Sequence, residues 1–282
     1  MVDGHSSDNT VQLAQKHGAN VHYENHGTRA FACQIGLENA KGDYVAFTDA
    51  DCRPAPHWLE NLLARLAGER NSRVVGAGSK IVHVGIDPWS SAIGQALSSF
   101  IGSGVSIQGR QYVAPRYVKS ISGSSSLYRK RDVQGVGGFN IHLPTCEDAE
   151  LNARLRRIGL LVYDPTTWVI HSPRRGPVAF AKRMRQYGFG RAISGVYSLP
   201  TLLPASLPFL VLGVIIFPFA FLAGIAAYAA LLYGAAVGAY IQLRDLDVAW
   251  RVPVLIACEH SMYVLGFWAG IGRKLLGTDD LK

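Results

Sequence analysis

The chain is poor in sulfur and unevenly supplied with charge. Its 282 residues include 4 cysteines and 3 methionines. Cys33, Cys52, Cys146 and Cys258 are widely spaced and form no Cys-x-x-Cys pair, which argues against a disulfide framework and a thiolate zinc site and suits a reducing compartment. Each reads as a small buried hydrophobe. Charge is absent from Leu199 to Leu243. A bilayer core takes about 20 apolar residues per helical crossing, so this run is long enough to cross twice. A soluble helix of that length would keep a polar face, and none shows here. Acidic residues are missing between Arg174 and Arg191, where Arg174, Arg175, Lys182, Arg183, Arg185 and Arg191 fall. Nucleic acid is one partner for such a patch, but just before an apolar run it marks the cytoplasmic side and touches anionic headgroups. An apolar leader is also missing: Met1 runs straight into Val2-Asp3-Gly4-His5-Ser6-Ser7-Asp8, so the polar part is expected to stay in the cytoplasm.

What is present alternates between short apolar runs and amphipathic stretches, the pattern of an α/β layer fold. Tyr44-Val45-Ala46-Phe47 reads as a buried strand ending in acids. Trp58, Leu59, Leu62, Leu63 and Leu66 recur at helical spacing after Pro54 and Pro56. Val74-Val75, Leu160 to Tyr163, and Trp168 to Ile170 read as short strands, and Ala149 to Ile158 as a helix closed by Gly159. From Ala179 to Ala192, Phe180, Met184, Tyr187 and Phe189 interleave with basic residues, as in a helix lying along a membrane surface. A further apolar segment, Val252 to Ile271, contains Glu259 and His260, which are costly in lipid unless paired or facing a protein-lined cavity. It reads as a third crossing or a re-entrant helix. Residues 1–191 are thus expected to form a cytoplasmic domain whose interfacial segment begins near 174, and residues 192–282 a membrane domain of two or three apolar helices.

Asp49 and Asp51 sit one residue apart at a strand end, and in an extended segment they would point the same way. A hard divalent cation, Mg²⁺ or Mn²⁺, relieves their repulsion and can bridge to phosphate oxygens. An ordinary turn with exposed acids is the alternative. Glu147 and Asp148 open a helix, where a carboxylate can act as a general base. Thr145 and Asp148 also have the spacing of a capping box. His171, after an apolar strand, suits metal ligation or an ordinary structural place. Gly123-Ser124-Ser125-Ser126 is a small-residue turn that lets a ligand approach the backbone or is a plain tight turn.

In order, Val2 to Thr10, Gly42-Asp43-Tyr44 leading to Thr48-Asp49-Ala50-Asp51-Cys52-Arg53-Pro54, Gly137-Gly138-Phe139, and Glu147-Asp148-Ala149-Glu150-Leu151 resemble family 2 glycosyltransferases of the GT-A fold. The spacing, with His260 to Phe267 near the end, resembles the exopolysaccharide and succinoglycan-type branch, which ends in transmembrane helices. The resemblance implies a nucleotide-sugar donor and a lipid-linked saccharide acceptor. It implies Asp3 at the nucleotide base, Arg29 near the nucleotide, Asp49 and Asp51 at the metal and diphosphate, His171 as a further metal ligand, and Asp148 as base with Glu147 beside it. Arg183, Gln186 and Tyr187 match a Gln/Arg-x-x-Arg-Trp element too poorly to carry a role. Such relatives begin with an apolar strand and a Pro-x-Tyr/Phe-Asn-Glu-like turn that do not precede Val2 here, and Val2 replaces a second acid. The resemblance therefore leads to the expectation of an internal start or a truncated member. A scaffold without activity and a polyprenyl-phosphate sugar synthase are the competing readings. The second has no use for Asp148, because a phosphate acceptor is already ionised.

Overall fold

A computed structural model describes residues 1–68, 73–103, 106–107, 112–172, 176–198, 201, 206, 213–214 and 216–277. In chain order the elements are β1 (Val2–Asp3), α1 (Thr10–Lys16), β2 (His22–Tyr23), α2 (Arg29–Asn39), β3 (Tyr44–Thr48), β4 (Cys52–Pro54) and α3 (Trp58–Gly68). Then come β5 (Val74–His83), α4 (Pro88–Ser98), α5 (Phe100–Ser103), β6 (Arg116–Val118), β7 (Ser125–Arg129) and α6 (Lys130–Gly135). The chain continues through α7 (Glu147–Leu155), β8 (Leu160–His171), α8 (Pro177–Ser194), α9 (Pro218–Leu243), α10 (Leu246–Ala249) and α11 (Arg251–Leu275).

Two sheets carry the strands of the described residues. β1 and β2 form a parallel pair by themselves. The main sheet is mixed and runs β3-β7-β5-β8-β4, with β6 also on β8. Helices cover both of its faces, as an α/β sheet requires. On one face Trp58, Leu62 and Leu66 of α3 pack on Val74, Ala77, Leu127, Val162 and Val169. On the other, Leu37 of α2 and Leu151 and Leu155 of α7 pack on Val75, Tyr128 and Leu161. Each such buried side chain is worth roughly 1.5–3 kcal/mol. The buried Trp58 indole is satisfied as well, donating to Ser125 Oγ at 2.9 Å and Ser79 Oγ at 3.1 Å.

Several expectations change. β3 is not a buried strand but the end of the six-stranded sheet, and only Val45 in it is fully buried. Val74-Val75 opens a ten-residue central strand, held by β7 on one side and β8 on the other. The two runs at 160–163 and 168–170 are one strand, with a register shift near Ser79/Lys80 absorbing the residues between. Leu59 and Leu63 face outward, because the sheet covers only one stripe of α3. Helix α7 begins two residues earlier than its apolar spacing suggests and ends at Leu155, leaving Ile158 exposed beyond it.

The last third forms a helical layer. α8 lies along α11, and α4 packs against the same group. The seam is close: a Cβ at Gly188 would collide with Tyr263 O, and one at Gly266 with Arg185 O. Phe180 and Met184 of α8, expected on a membrane surface, are therefore buried against protein. The basic patch also divides. Lys182 and Arg185 are exposed, whereas Arg183 lies over the Tyr187 ring at 4.8 Å and Arg191 is partly buried. Arg174 and Arg175 lie outside the described residues. Among the described residues two helical stretches are long and apolar enough to cross a membrane, Pro218–Leu243 and Leu246–Leu275. The first accounts for the second half of the uncharged run. Most of residues 199–217, where an earlier crossing is expected, lies outside the described residues.

Candidate active site

The candidate residues come from five places in the chain, β1, the start of α2, the turn after β3, the start of α7 and the end of β8. Thr28 caps α2 by accepting from Phe31 N at 3.2 Å, which sets Arg29 at the first helical position. β3 delivers Asp49. The segment Asp49-Ala50-Asp51 then turns, with Cys52 N donating to Asp49 O at 3.0 Å. The two acids are brought together by this turn and not by the alternation of an extended strand. One carboxylate oxygen of each and the Cys52 sulfur all lie within 4.8 Å of one another.

Arg29 is the hub. Its Nε and Nη2 each lie 2.9 Å from Asp49 Oδ1, and its Nη1 donates to Glu147 Oε1. The other oxygen of Asp49 accepts from Ser124 Oγ. Gly123 permits this arrangement: a Cβ there would stand 2.6 Å from Arg29 Nη1. Gly123 N donates to Asp148 Oδ2 at 3.0 Å. The small-residue turn thus brings backbone close to Arg29 and Asp148, and one loop contacts both acid pairs.

The start of α7 has an unusual cap. Cys146 takes a left-handed conformation (φ 65°), which a non-glycine residue adopts only when its surroundings enforce it. The capping box expected from Thr145 and Asp148 is not formed. Thr145 Oγ1 donates instead to Gln186 O of α8 at 2.9 Å, and Cys146 Sγ lies 3.7 Å from Tyr187 O. Glu147, with its side chain 6% exposed, points inward to Arg29, whereas Asp148 is only partly buried. Burial, then the Asp148 charge, pushes the Glu147 carboxyl above the usual range against the pull of Arg29.

His171 ends β8. Its Nε2 lies 3.2 Å from Asp51 Oδ2, and its Nδ1 lies 3.0 Å from Nδ1 of His83. Asp49 and Asp51 offer oxygens that suit Mg²⁺ or Mn²⁺; the third member of their group is Cys52, and His171 adjoins it through Asp51. Cys52 is a soft donor and suits so hard a cation less well than oxygen does. Burial and the Asp49 charge push its thiol up to about 12.

Asp3 stands apart from this cluster in the short sheet. It is buried and accepts from Ser6 N at 2.9 Å and Ser6 Oγ at 2.6 Å. Those bonds from Ser6, foremost the hydroxyl's, hold its carboxyl below the usual range. Val2, its neighbour, packs on Gly36 of α2, the helix that begins with Arg29. Sequence reasoning named the turn that holds Ser124 but not its bond to Asp49, read Cys52 as a small buried hydrophobe, and missed His83. His83 had a usable signal, because Ile81-Val82-His83 repeats the apolar-then-histidine ending of Val169-Ile170-His171.

Residues 1–136 match the model of Glycosyl transferase family 2. The chain is 29% identical over 170 residues to a pre-mycofactocin glycosyltransferase of Mycobacterium tuberculosis, covering 60% of this chain and 35% of that protein. A 44-residue stretch, 16% of the chain and 7% of the relative, is 52% identical to human polypeptide N-acetylgalactosaminyltransferase 15. The chain thus spans about a third or less of the length of these curated relatives. Among solved structures, it is similar to the mannosyltransferase PcManGT from Pyrobaculum calidifontis in complex with GDP-Man and Mn²⁺. That likeness has a TM-score of 0.52 at 18% identity and covers 93% of this chain and 76% of the other. The fold is a mixed α/β domain of the GT-A type followed by apolar helices.

Proposed function

We propose that this chain, whose first 136 residues match Glycosyl transferase family 2, is a metal-dependent glycosyltransferase that takes a sugar from a nucleotide-sugar donor. The observation that carries the reading is the convergence of two acid pairs on Arg29, one beside a histidine and the other at a helix start. The relatives' names and the Mn²⁺ in the mannosyltransferase complex support it.

In this reading Asp51, Asp49 and His171 hold Mg²⁺ or Mn²⁺, which when bound offsets charge on the departing nucleoside diphosphate. Asp3 contacts the base. Arg29 keeps Asp49 and Glu147 in place. Asp148 is the general base. It takes the proton of the acceptor hydroxyl as that oxygen forms its bond to the anomeric carbon, and the bond to the diphosphate oxygen breaks with its electron pair. The outcome is inversion. Hydrogen bonds to Asp148 from Gly123 N and, at 2.7 Å, from Ala149 N aim its carboxylate. A base at this place favours a hydroxyl acceptor over a polyprenyl phosphate.

We place the acceptor on a lipid carrier at the cytoplasmic face, as in the exopolysaccharide branch. The apolar helices α9 and α11 support this, as does the contact of α8 with both α11 and the loop before Glu147. Residues 1–191 are then the transferase domain and 192–282 the membrane domain. Purified full-length protein in nanodiscs, titrated with Mn²⁺ and with UDP or GDP, tests the core of the reading. Wild type should bind Mn²⁺ more tightly with one nucleoside diphosphate present, and Asp51→Ala should lose that gain. Equal Mn²⁺ affinity in both proteins, with either diphosphate, overturns it.

A further inference from the structure

We infer that His83 is a positioning residue for the cation site, fixing the tautomer and orientation of His171; this rests on the metal reading above. β5 and β8 run parallel, and the register sets His83 directly opposite His171, so both side chains leave the same face of the sheet. Their rings meet edge to face, with centroids 5.1 Å apart and planes at 82°, and the Nδ1 atoms are 3.0 Å apart. At that distance one ring must donate and the other accept.

Chemistry chooses the direction. His171 presents Nε2 to Asp51, so Nε2 is the atom that would give its lone pair to a cation there. The proton of His171 then sits on Nδ1, and the atom placed to accept it is Nδ1 of His83. His83 in turn carries its own proton on Nε2. A metal-bound histidine depends on such an acceptor, which locks its ring and raises its basicity. Without it, the His171 ring is free to flip or to take the tautomer that points a hydrogen at the cation.

The fold holds His83 for this task. Val84 N donates to His171 O at 3.0 Å, tying the end of β5 to the end of β8. On the other side, Gly94 of α4 comes so close that a Cβ there would stand 2.8 Å from Cβ of His83. The imidazole is thereby fixed between the strand that carries His171 and a helix of the apolar layer.

The test is Mn²⁺ titration of the full-length protein in nanodiscs by electron paramagnetic resonance, with UDP or GDP present. It compares wild type, His83→Leu, His83→Asn, His83→Gln and Asp51→Ala, with a melting curve for each. Asn places its amide oxygen near the position of Nδ1, whereas Gln places its amide near Nε2. The expected result is Mn²⁺ binding weakened about 10–100-fold in His83→Leu and His83→Gln. His83→Asn should recover most of the affinity. Undiminished binding in His83→Leu or His83→Gln, while Asp51→Ala loses the ion, overturns the proposal. Equal weakening in Asn and Gln also overturns it, because a merely structural histidine would not distinguish them. If wild type binds no Mn²⁺ under any of these conditions, the metal reading itself falls, a result separate from the other two.

Discussion

The two acid pairs, one at the end of β3 and one at the start of α7, solve the same electrostatic problem in different surroundings. Asp49 and Asp51 crowd together in a turn near the sheet's end; Glu147 and Asp148 crowd together at a helix start. In each pair Arg29 takes one member, Asp49 in the first and Glu147 in the second, and leaves the other to a different partner. Asp51 leans on His171, and Asp148 accepts from Gly123 N. The partner decides the chemistry available. Asp51 sits beside an imidazole that can share a cation with it. Among the described residues Asp148 accepts from the backbone N–H groups of Gly123 and Ala149, which in the proposed reading leaves its carboxylate for a proton. In the proposed reading Glu147 belongs to the frame around Arg29, and Asp49 shares that frame with the cation site.

The sharpest way to break this comparison is within the second pair. Asp148→Asn keeps an oxygen for Gly123 N, and Cys146, not Asp148, is the cap, so melting should be nearly unchanged. Turnover should fall about 10²–10⁴-fold, the usual worth of a placed base. Glu147→Gln should do the reverse, lowering the melting temperature more than the turnover per folded molecule. Assays of both variants for activity and thermal melting would reject the division of labour if Asp148→Asn stayed fully active.

A smaller effect separates the pairs from each other. Gly190 of α8 lies against Thr145, and a Cβ there would collide with Thr145 Oγ1. Gly190→Ala should therefore displace the start of α7 and leave β3 alone. Turnover is expected to drop by as much as about 10²-fold, the scale for misplacing a catalytic group by an ångström. Mn²⁺ affinity should hold. Loss of Mn²⁺ binding in this variant would show that the pairs are not separable.

The smallest effect is a pH dependence. Burial raises the Glu147 carboxyl above its unfolded value. Folded protein then holds this proton to higher pH than unfolded chain does, so this group's contribution to stability is full below the unfolded value and fades as pH rises through the folded one. Glu147→Gln lacks that component. The melting temperature of wild type minus that of Glu147→Gln should accordingly shrink as pH rises from acid toward neutral. A difference that stays flat or grows would mean that Arg29 outweighs burial.

Much of the site was legible because its acids sit at ends of elements. An apolar run that stops in Asp-x-Asp, and a helix that opens on Glu-Asp, are local patterns whose period and spacing are read directly from the chain. The capping box at Thr145 failed for the opposite reason. Its spacing was right, but the helix is capped one residue later, at Cys146, and the Thr145 hydroxyl donates to Gln186 O, 41 residues away. The apolar face of α8 was assigned to lipid although protein covers it, since nothing local announces that Gly188 and Gly266 let α8 and α11 meet backbone to backbone.

The amino-acid sequence by itself determined the alternation of strands and helices, the acidic strand and helix ends, and the long uncharged stretch toward the C-terminus. Each follows from side-chain chemistry repeated at short range. Tertiary structure alone decided which acid meets which counter-charge. Arg29 and Glu147 stand 118 residues apart, and His83 and His171 stand 88 apart. Their pairing depends on sheet register and on the room left by Gly123 and Gly94, which no local period encodes.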